Sequence, residues 1–321
     1  MHTCPPPRAA LDIWLEPNGT IHAQIYGHLL LEQQSKINDA LIDALRPYFE
    51  SAHLDAREYF HSQLGIDLHP DAAGAVDISY PNCLPKKAKL GLFGEVMAGL
   101  VTEAYQDEFV GGYEWKVPIF LFRNHEDVEN YLWALKFDPN RVREIYGRHG
   151  TDFIGISLDG TGEVARVIAG EAKWRKSLTD SAFAELMYGE KVRNKATDQL
   201  EHNGRGIWFE INRGSPIPWG LRQIQRLLED RDPEGHASAI VSIDRAVLGV
   251  RPPPPRTDLI LIVGNGAKRR SKGDVLFDYR GIPADYKAGN DLQVVEVILD
   301  GGETLIAELY STLFEDAYAG A

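Results

Sequence analysis

The sequence predicts an α/β fold: a mixed central sheet flanked by helices, with an N-terminal α+β extension over residues 1–88 and the main domain over residues 89–321. Three observations carry that prediction. Residues 149–176 read as two antiparallel strands, Phe153 to Leu158 and Val164 to Trp174, around the turn residues Asp159-Gly160-Thr161-Gly162. The second strand is apolar on both faces, with Val164, Ile168 and Ala172 on one and Ala165, Val167 and Ala169 on the other, as in a strand covered from both sides. Segments of helical periodicity then alternate with short apolar runs along the rest of the chain.

In chain order, Leu11 to Tyr26 reads as a hairpin turning at Pro17-Asn18-Gly19. Gln33 to Leu64 is largely helical, with Ile37, Leu41, Ile42 and Leu45 on one face and Pro47 as a break. Val76 to Tyr80 is a candidate strand, and Pro81 and Pro85 then interrupt, which places the domain division near residue 88. Lys89 to Tyr105 is an amphipathic helix with the stripe Leu92, Val96, Leu100 and Val101. Val117 to Phe122 reads as a strand entered through Pro118, and Glu126 to Lys136 as a surface helix. After the central hairpin, Ser177-Leu178-Thr179-Asp180 resembles a capping box and opens a helical stretch to about Leu200, with a break expected at Gly189. Trp219 to Leu228 is a helix, Ala237 to Ile243 and Leu259 to Val263 are strands, and Pro252 to Pro255 is a stiff connector between them. Gly264-Asn265-Gly266 reads as a tight turn, Leu292 to Leu299 as a strand and Thr304 to Ala319 as a closing helix.

The net charge of −13 argues against a protein that holds nucleic acid by bulk charge. A nucleic-acid enzyme with this balance needs local basic patches or a partner that delivers the substrate. Lys173, Arg175 and Lys176, then Lys191, Arg193 and Lys195, then Lys268, Arg269, Arg270 and Lys272 are such clusters, unless they are merely solvated surface. Two cysteines are too few for a zinc cluster or a disulfide framework. No apolar run approaches the roughly 20 residues of a membrane span, and the N-terminus MHTCPPPRAALD lacks the apolar core of a signal peptide. A cytoplasmic protein without membrane contact is expected. His53, His61 and His69 recur at a spacing that fits no helical face, so a structural or exposed role is expected rather than metal binding.

Glu171 and Lys173 interrupt a doubly apolar strand and, two residues apart, share one face. Folding the hairpin about its glycines brings Asp152 roughly opposite Glu171, where Cβ atoms lie about 5 Å apart if opposed and about 7 Å if diagonal. Two buried carboxylates at that separation repel unless a cation joins them. A hard cation, Mg²⁺ or Mn²⁺, fits oxygen ligands, and a metal-bound water beside the Lys173 ammonium suits attack on a phosphodiester. The competing reading is a Glu–Lys pair at a strand end with Asp152 as a turn residue. Upstream, Glu95 lies among Gly91, Gly94, Ala98 and Gly99, small residues that allow close approach to a sheet. Glu95 reads either as a third acid entering the site or as a glutamate favoured by the helix dipole.

The pattern Asp152…Glu171-Ala172-Lys173, with 171 − 152 = 19, resembles the PD-(D/E)xK nuclease superfamily, Thr151 standing where that pattern has proline. The runs GTDFIGI, VIAGEAKW and LFGEVMAGL together look like the nuclease subunit of the Hachiman anti-phage defence system, over roughly residues 90 to 210. The resemblance implies a restriction-endonuclease-like core and a Mg²⁺-dependent DNA nuclease. It also implies a superfamily-2 DNA helicase as partner and activity restrained until phage infection or DNA damage. It implies Asp152 and Glu171 as metal ligands, Lys173 as the catalytic lysine and Glu95 as the matching helix acid and further ligand. Two alternatives stand beside it: a stand-alone restriction or repair nuclease of the same superfamily, and a non-catalytic subunit with the inherited fold.

Overall fold

The computed structural model describes residues 1–65, 80–122, 151–195, 197–213, 217–218, 220–268 and 270–315. In chain order its elements are α1 (Arg8–Trp14), β1 (Leu15–His22), β2 (Tyr26–Gln33), α2 (Asp39–Gly65), α3 (Lys86–Ala104), β3 (Phe153–Leu158) and β4 (Val164–Leu178). They continue with α4 (Asp180–Tyr188), β5 (Lys191–Arg193), β6 (Leu200–His202), α5 (Ile207–Asn212), α6 (Leu221–Arg231), α7 (Ala237–Val247), β7 (Arg256–Gly266), β8 (Asp291–Leu299) and α8 (Gly302–Thr312).

Six strands make one mixed sheet in the order β1-β2-β8-β7-β4-β3. The middle four, β2, β8, β7 and β4, are parallel, and an antiparallel strand closes each edge. The parallel strands are Val-, Ile- and Leu-rich because helices cover both their faces: Leu259 through Val263 are wholly buried. Alternation sorts the side chains. Ile168, Ala172, Trp174, Leu259, Leu261, Val295 and Val297 meet residues of α2, α3 and α8 on one face. Val167 and Ala169 meet α6 and α7 on the other face, and Ile260, Ile262 and Val294 meet α4 and α5 there. Two buried carboxylates secure the β7–β8 connection to that second face. Glu296 accepts from the backbone of Leu276 and Phe277 and pairs with His28 Nε2 at 2.9 Å. Asp258 pairs with Arg256 at 2.6 Å and accepts from the Tyr286 hydroxyl at 2.5 Å.

The fold is thus α/β with a mixed central sheet flanked by helices, and several local expectations are corrected. Pro17-Asn18-Gly19 lies within β1, at an irregular pairing between Asn18 and Ile21; an edge strand tolerates a proline there. The chain reverses at Ala23-Gln24-Ile25, where Ala23 N donates to Tyr26 O at 2.8 Å. Gln33 ends β2, and α2 runs through Pro47 because Tyr48 and Phe49 beside it are anchored in the core. Val117 to Phe122 is not a strand. Only Lys116 bridges to Ile156, while Val117 N donates to Glu103 and the Pro118 carbonyl accepts from His2. Helix α4, capped by the Thr179 hydroxyl rather than by Ser177, stops at Gly189, whose φ of +87° requires glycine. The stretch expected to continue it to Leu200 is instead the hairpin β5–β6. Ala237 to Ile243 is helical, since Ala239, Ser242, Ile243 and Ala246 bury one helical face. Gly264-Asn265-Gly266 continues β7, Gly264 and Asn265 against β8 and Gly266 against β4. The helix after β8 ends at Thr312. Residue 88 falls inside α3, and β1 and β2 belong to the same sheet as β8. The expected strand Val76 to Tyr80, apart from Tyr80 itself, and the expected helix Glu126 to Lys136 lie outside the described residues.

His53 on α2 is wholly buried, its ring nitrogens paired with the hydroxyls of Tyr80 at 2.9 Å and Tyr310 at 3.1 Å. Its role is structural, as expected; His61 and His69 lie outside the described side chains. Burial pushes the His53 pKa down to about 3, against about 6.5 in an unfolded chain. Between those values the unfolded chain binds the extra proton, so this contribution to stability is intact above pH about 6.5 and is lost progressively as pH falls toward 3. From pH 6.5 to 4.5 the loss should amount to roughly 2–3 kcal/mol. His53→Gln, which cannot titrate, should lose that much less in urea melts at the two pH values; equal losses would refute the assignment.

Candidate active site

The ladder between β3 and β4 continues one step past β3: Asp152 N donates to Gly170 O at 3.1 Å. With Phe153 opposite Gly170, this sets Asp152 opposite Glu171. One Asp152 oxygen accepts from Ala172 N at 3.4 Å, which fixes the carboxylate over the strand. The Lys173 ammonium pairs with Asp152 and lies 2.7 Å from Glu171 Oε2. Asp152, Glu171 and Lys173 therefore meet at one point, as alternation along β4 predicts.

Burial and position differ among the three. Glu171 is buried, with 7% of its side chain exposed, whereas Lys173 keeps 32% of its side chain exposed and so reaches the surface. Burial and then the Asp152 charge raise the Glu171 pKa, with Lys173 opposing them. For Lys173, burial disfavours the charge, but the Asp152 and Glu171 carboxylates outweigh it and hold the ammonium protonated. On this face the three polar side chains form a seam between two apolar clusters, one built on Val167 and Ala169, the other on Ile260 and Ile262. Arg175 continues the same line of side chains beyond Lys173, near enough to Glu185 and Glu190 for their charges to act on it.

Glu95 is not brought to this point. Its helix α3 packs on the opposite face: Gly94 sits against the backbone of Ala172 to Trp174, and Phe93 meets the Trp174 ring edge-on at 5.7 Å. Glu95 is buried there, and its charge bears on Tyr80 and Tyr310. The expected amphipathic stripe is also wider than one face, since every residue from Leu92 to Thr102 is buried between the sheet and its neighbours. The small residues do permit close approach, but on the side of the sheet away from Glu171.

Asp152 and Glu171 supply oxygen ligands of the kind Mg²⁺ takes one or two at a time, keeping water elsewhere in its shell. The pair suits such an ion by chemistry. Among the described residues, no group of three or more His, Cys, Asp or Glu could hold a metal.

Two features of the site escaped sequence reasoning. Gly170 brings β4 and β7 into close contact just before Glu171: a Cβ there would lie 1.8 Å from the Leu259 carbonyl oxygen. The hairpin β5–β6 beyond Arg175 was signalled by Gly189 and by the alternation in Lys191-Val192-Arg193, which fits a strand better than a helix. Among the described residues no helix is long and apolar enough to cross a membrane. No family model matches the chain, and none of the curated proteins matches it.

Proposed function

We propose that the chain is a metal-dependent DNA nuclease of the PD-(D/E)xK type, the effector of a Hachiman-like anti-phage complex that a superfamily-2 helicase restrains and supplies with DNA. The observation that carries this reading is the meeting of Asp152, Glu171 and Lys173 at the base of the β3–β4 hairpin. The antiparallel bridge from Lys116 to β3, the antiparallel β3–β4 pair and the parallel β4–β7 pair support a restriction-endonuclease-like core. The charge of −13 supports delivery of DNA by a partner.

Asp152 and Glu171 would hold the metal, which would supply an activated water and polarise the phosphate. Lys173, held protonated by its carboxylate partners, is an electrostatic group rather than a base. Its ammonium, partly exposed, would neutralise charge that builds on a phosphodiester in the transition state. The low exposure of Glu171 keeps competing water away from the ligand oxygens.

Purified with its helicase, the chain should cut DNA in Mg²⁺ or Mn²⁺ and stop when chelator is added. Undiminished cutting in chelator would rule out the metal reading. The absence of Glu95 from the site favours one rival, a non-catalytic subunit. That rival predicts that the complex carrying Asp152→Ala yields the same products as wild type.

A further inference from the structure

Among the described residues, strands β5 and β6 pair only with each other, as a two-stranded sheet separate from the main one. Nearly every residue of the hairpin is exposed, including Val192 at 45% and Leu200 at 65%. An isolated two-stranded ribbon is marginal in water, and this one is held at its base and within its loop. Asn203 N donates to Glu190 O at 2.9 Å, His202 Nδ1 lies 2.5 Å from the Gly189 carbonyl, and Asn194 and Gln199 close the far end at 2.8 Å.

The pairing sorts its charges. Lys191 stands opposite His202 and Arg193 opposite Leu200, so Lys191, Arg193, Leu200 and His202 share one face. Val192 and Glu201 share the other, and Asn194 and Thr197 both donate to the Glu201 carboxylate. Among the described residues, the acidic contact on the cationic side is Arg193 with Asp198 at 2.8 Å, in an ion pair exposed on both partners and hence weak. Over residues 189–206 there are four cations (Lys191, Arg193, Lys195, Arg205) against three acids (Glu190, Asp198, Glu201), in a chain of net charge −13. The hairpin follows α4 directly from the end of β4, and the Glu190 charge at its base reaches Arg175, on the same line of side chains as Glu171 and Lys173.

We infer that the β5–β6 hairpin is a DNA-binding wing of the Asp152–Glu171–Lys173 site, laying Lys191 and Arg193 on the phosphate backbone of duplex DNA with Leu200 against its sugars. This rests on the nuclease reading and adds the element that seats the substrate. A polyanion repelled by the chain as a whole can still be held by a segregated cationic face.

The test is fluorescence anisotropy of a labelled 20-base-pair duplex with the full chain, in chelator, over a salt series starting near 20 mM. Lys191→Glu/Arg193→Glu should weaken binding at least tenfold at the lowest salt. It should also lower the slope of log affinity against log salt by about 2, the share of two phosphate contacts. Lys36→Glu/Lys87→Glu, the same charge change at exposed sites just before α2 and at the start of α3, helices that pack on the opposite face of the sheet, should shift affinity less than threefold. Equal losses in both variants, an unchanged wing variant, or no binding by wild type at the lowest salt would each overturn the inference. A chain that binds through the wing yet never cuts in Mg²⁺ leaves the wing standing and removes the nuclease reading. A chain whose wing variant binds and cuts like wild type does the reverse.

Discussion

Lys173→Ala should reduce single-turnover DNA cleavage by about 10²–10³-fold or more, the usual loss for a removed transition-state electrostatic group, while divalent-metal binding survives. The ammonium meets both carboxylates and is held protonated by them, so its removal takes away a positive charge at the reacting phosphate but no ligand oxygen. Calorimetry with Mn²⁺ should show affinity at least equal to wild type, since two carboxylates without their counter-ion attract a cation more strongly. Glu171→Gln should behave in the opposite way and lose the metal. Glu95→Gln should change neither property, because Glu95 lies across the sheet. Cleavage by Lys173→Ala at the wild-type rate would end the assignment.

Gly170→Ala should be among the most damaging single substitutions in the chain, lowering stability by about 3 kcal/mol or more. The new Cβ would meet Leu259 O at 1.8 Å, Leu259 C at 2.6 Å and Leu259 Cα at 2.8 Å, all backbone atoms of the neighbouring central strand. Relief requires parting β4 from β7, and the next pair along is Glu171 with Ile260. Urea melts should therefore show the loss in stability, and any folded fraction should bind Mn²⁺ weakly. Gly160→Ala, with nothing within 4 Å, is the control and should be nearly silent. A Gly170→Ala chain as stable as that control would mean that the strands have room to spare.

The hairpin and its three polar side chains were legible because strand geometry has period two, which puts Glu171 and Lys173 on one face, and because the turn Asp159 to Gly162 folds Asp152 back toward them; the irregular pairing between Ser157 and Leu158, which the sequence does not mark, brings Asp152 opposite Glu171. Glu95 was not, because a sequence shows which face of a helix is apolar but not which side of the sheet receives the helix. The apolar run Ala237 to Ile243 fits either a short strand or a helix; the packing of Ala239 and Ile243 against α6 and β4 decided for helix. Strand pairing was hidden for a different reason. Whether β8 pairs with β7, β2 or both is a matter of long-range closure, and Val- and Ile-rich parallel strands carry no local mark of their neighbours.

That closure has a consequence for how the molecule is made. Strand β2 lies beside β8, with Leu29 opposite Val295, 266 residues later (295 − 29). At the usual rate of synthesis of about 5–20 residues per second, the first hairpin waits on the order of tens of seconds on the ribosome for its partner strand. Until then the apolar run Leu29 to Leu31 has no sheet to join, and such high-contact-order pairing is slow even afterwards. A nascent chain of this topology is a natural client for chaperones. Deleting residues 1–88 to isolate the remainder would leave the edge of β8 as an unpaired, sticky template for other chains.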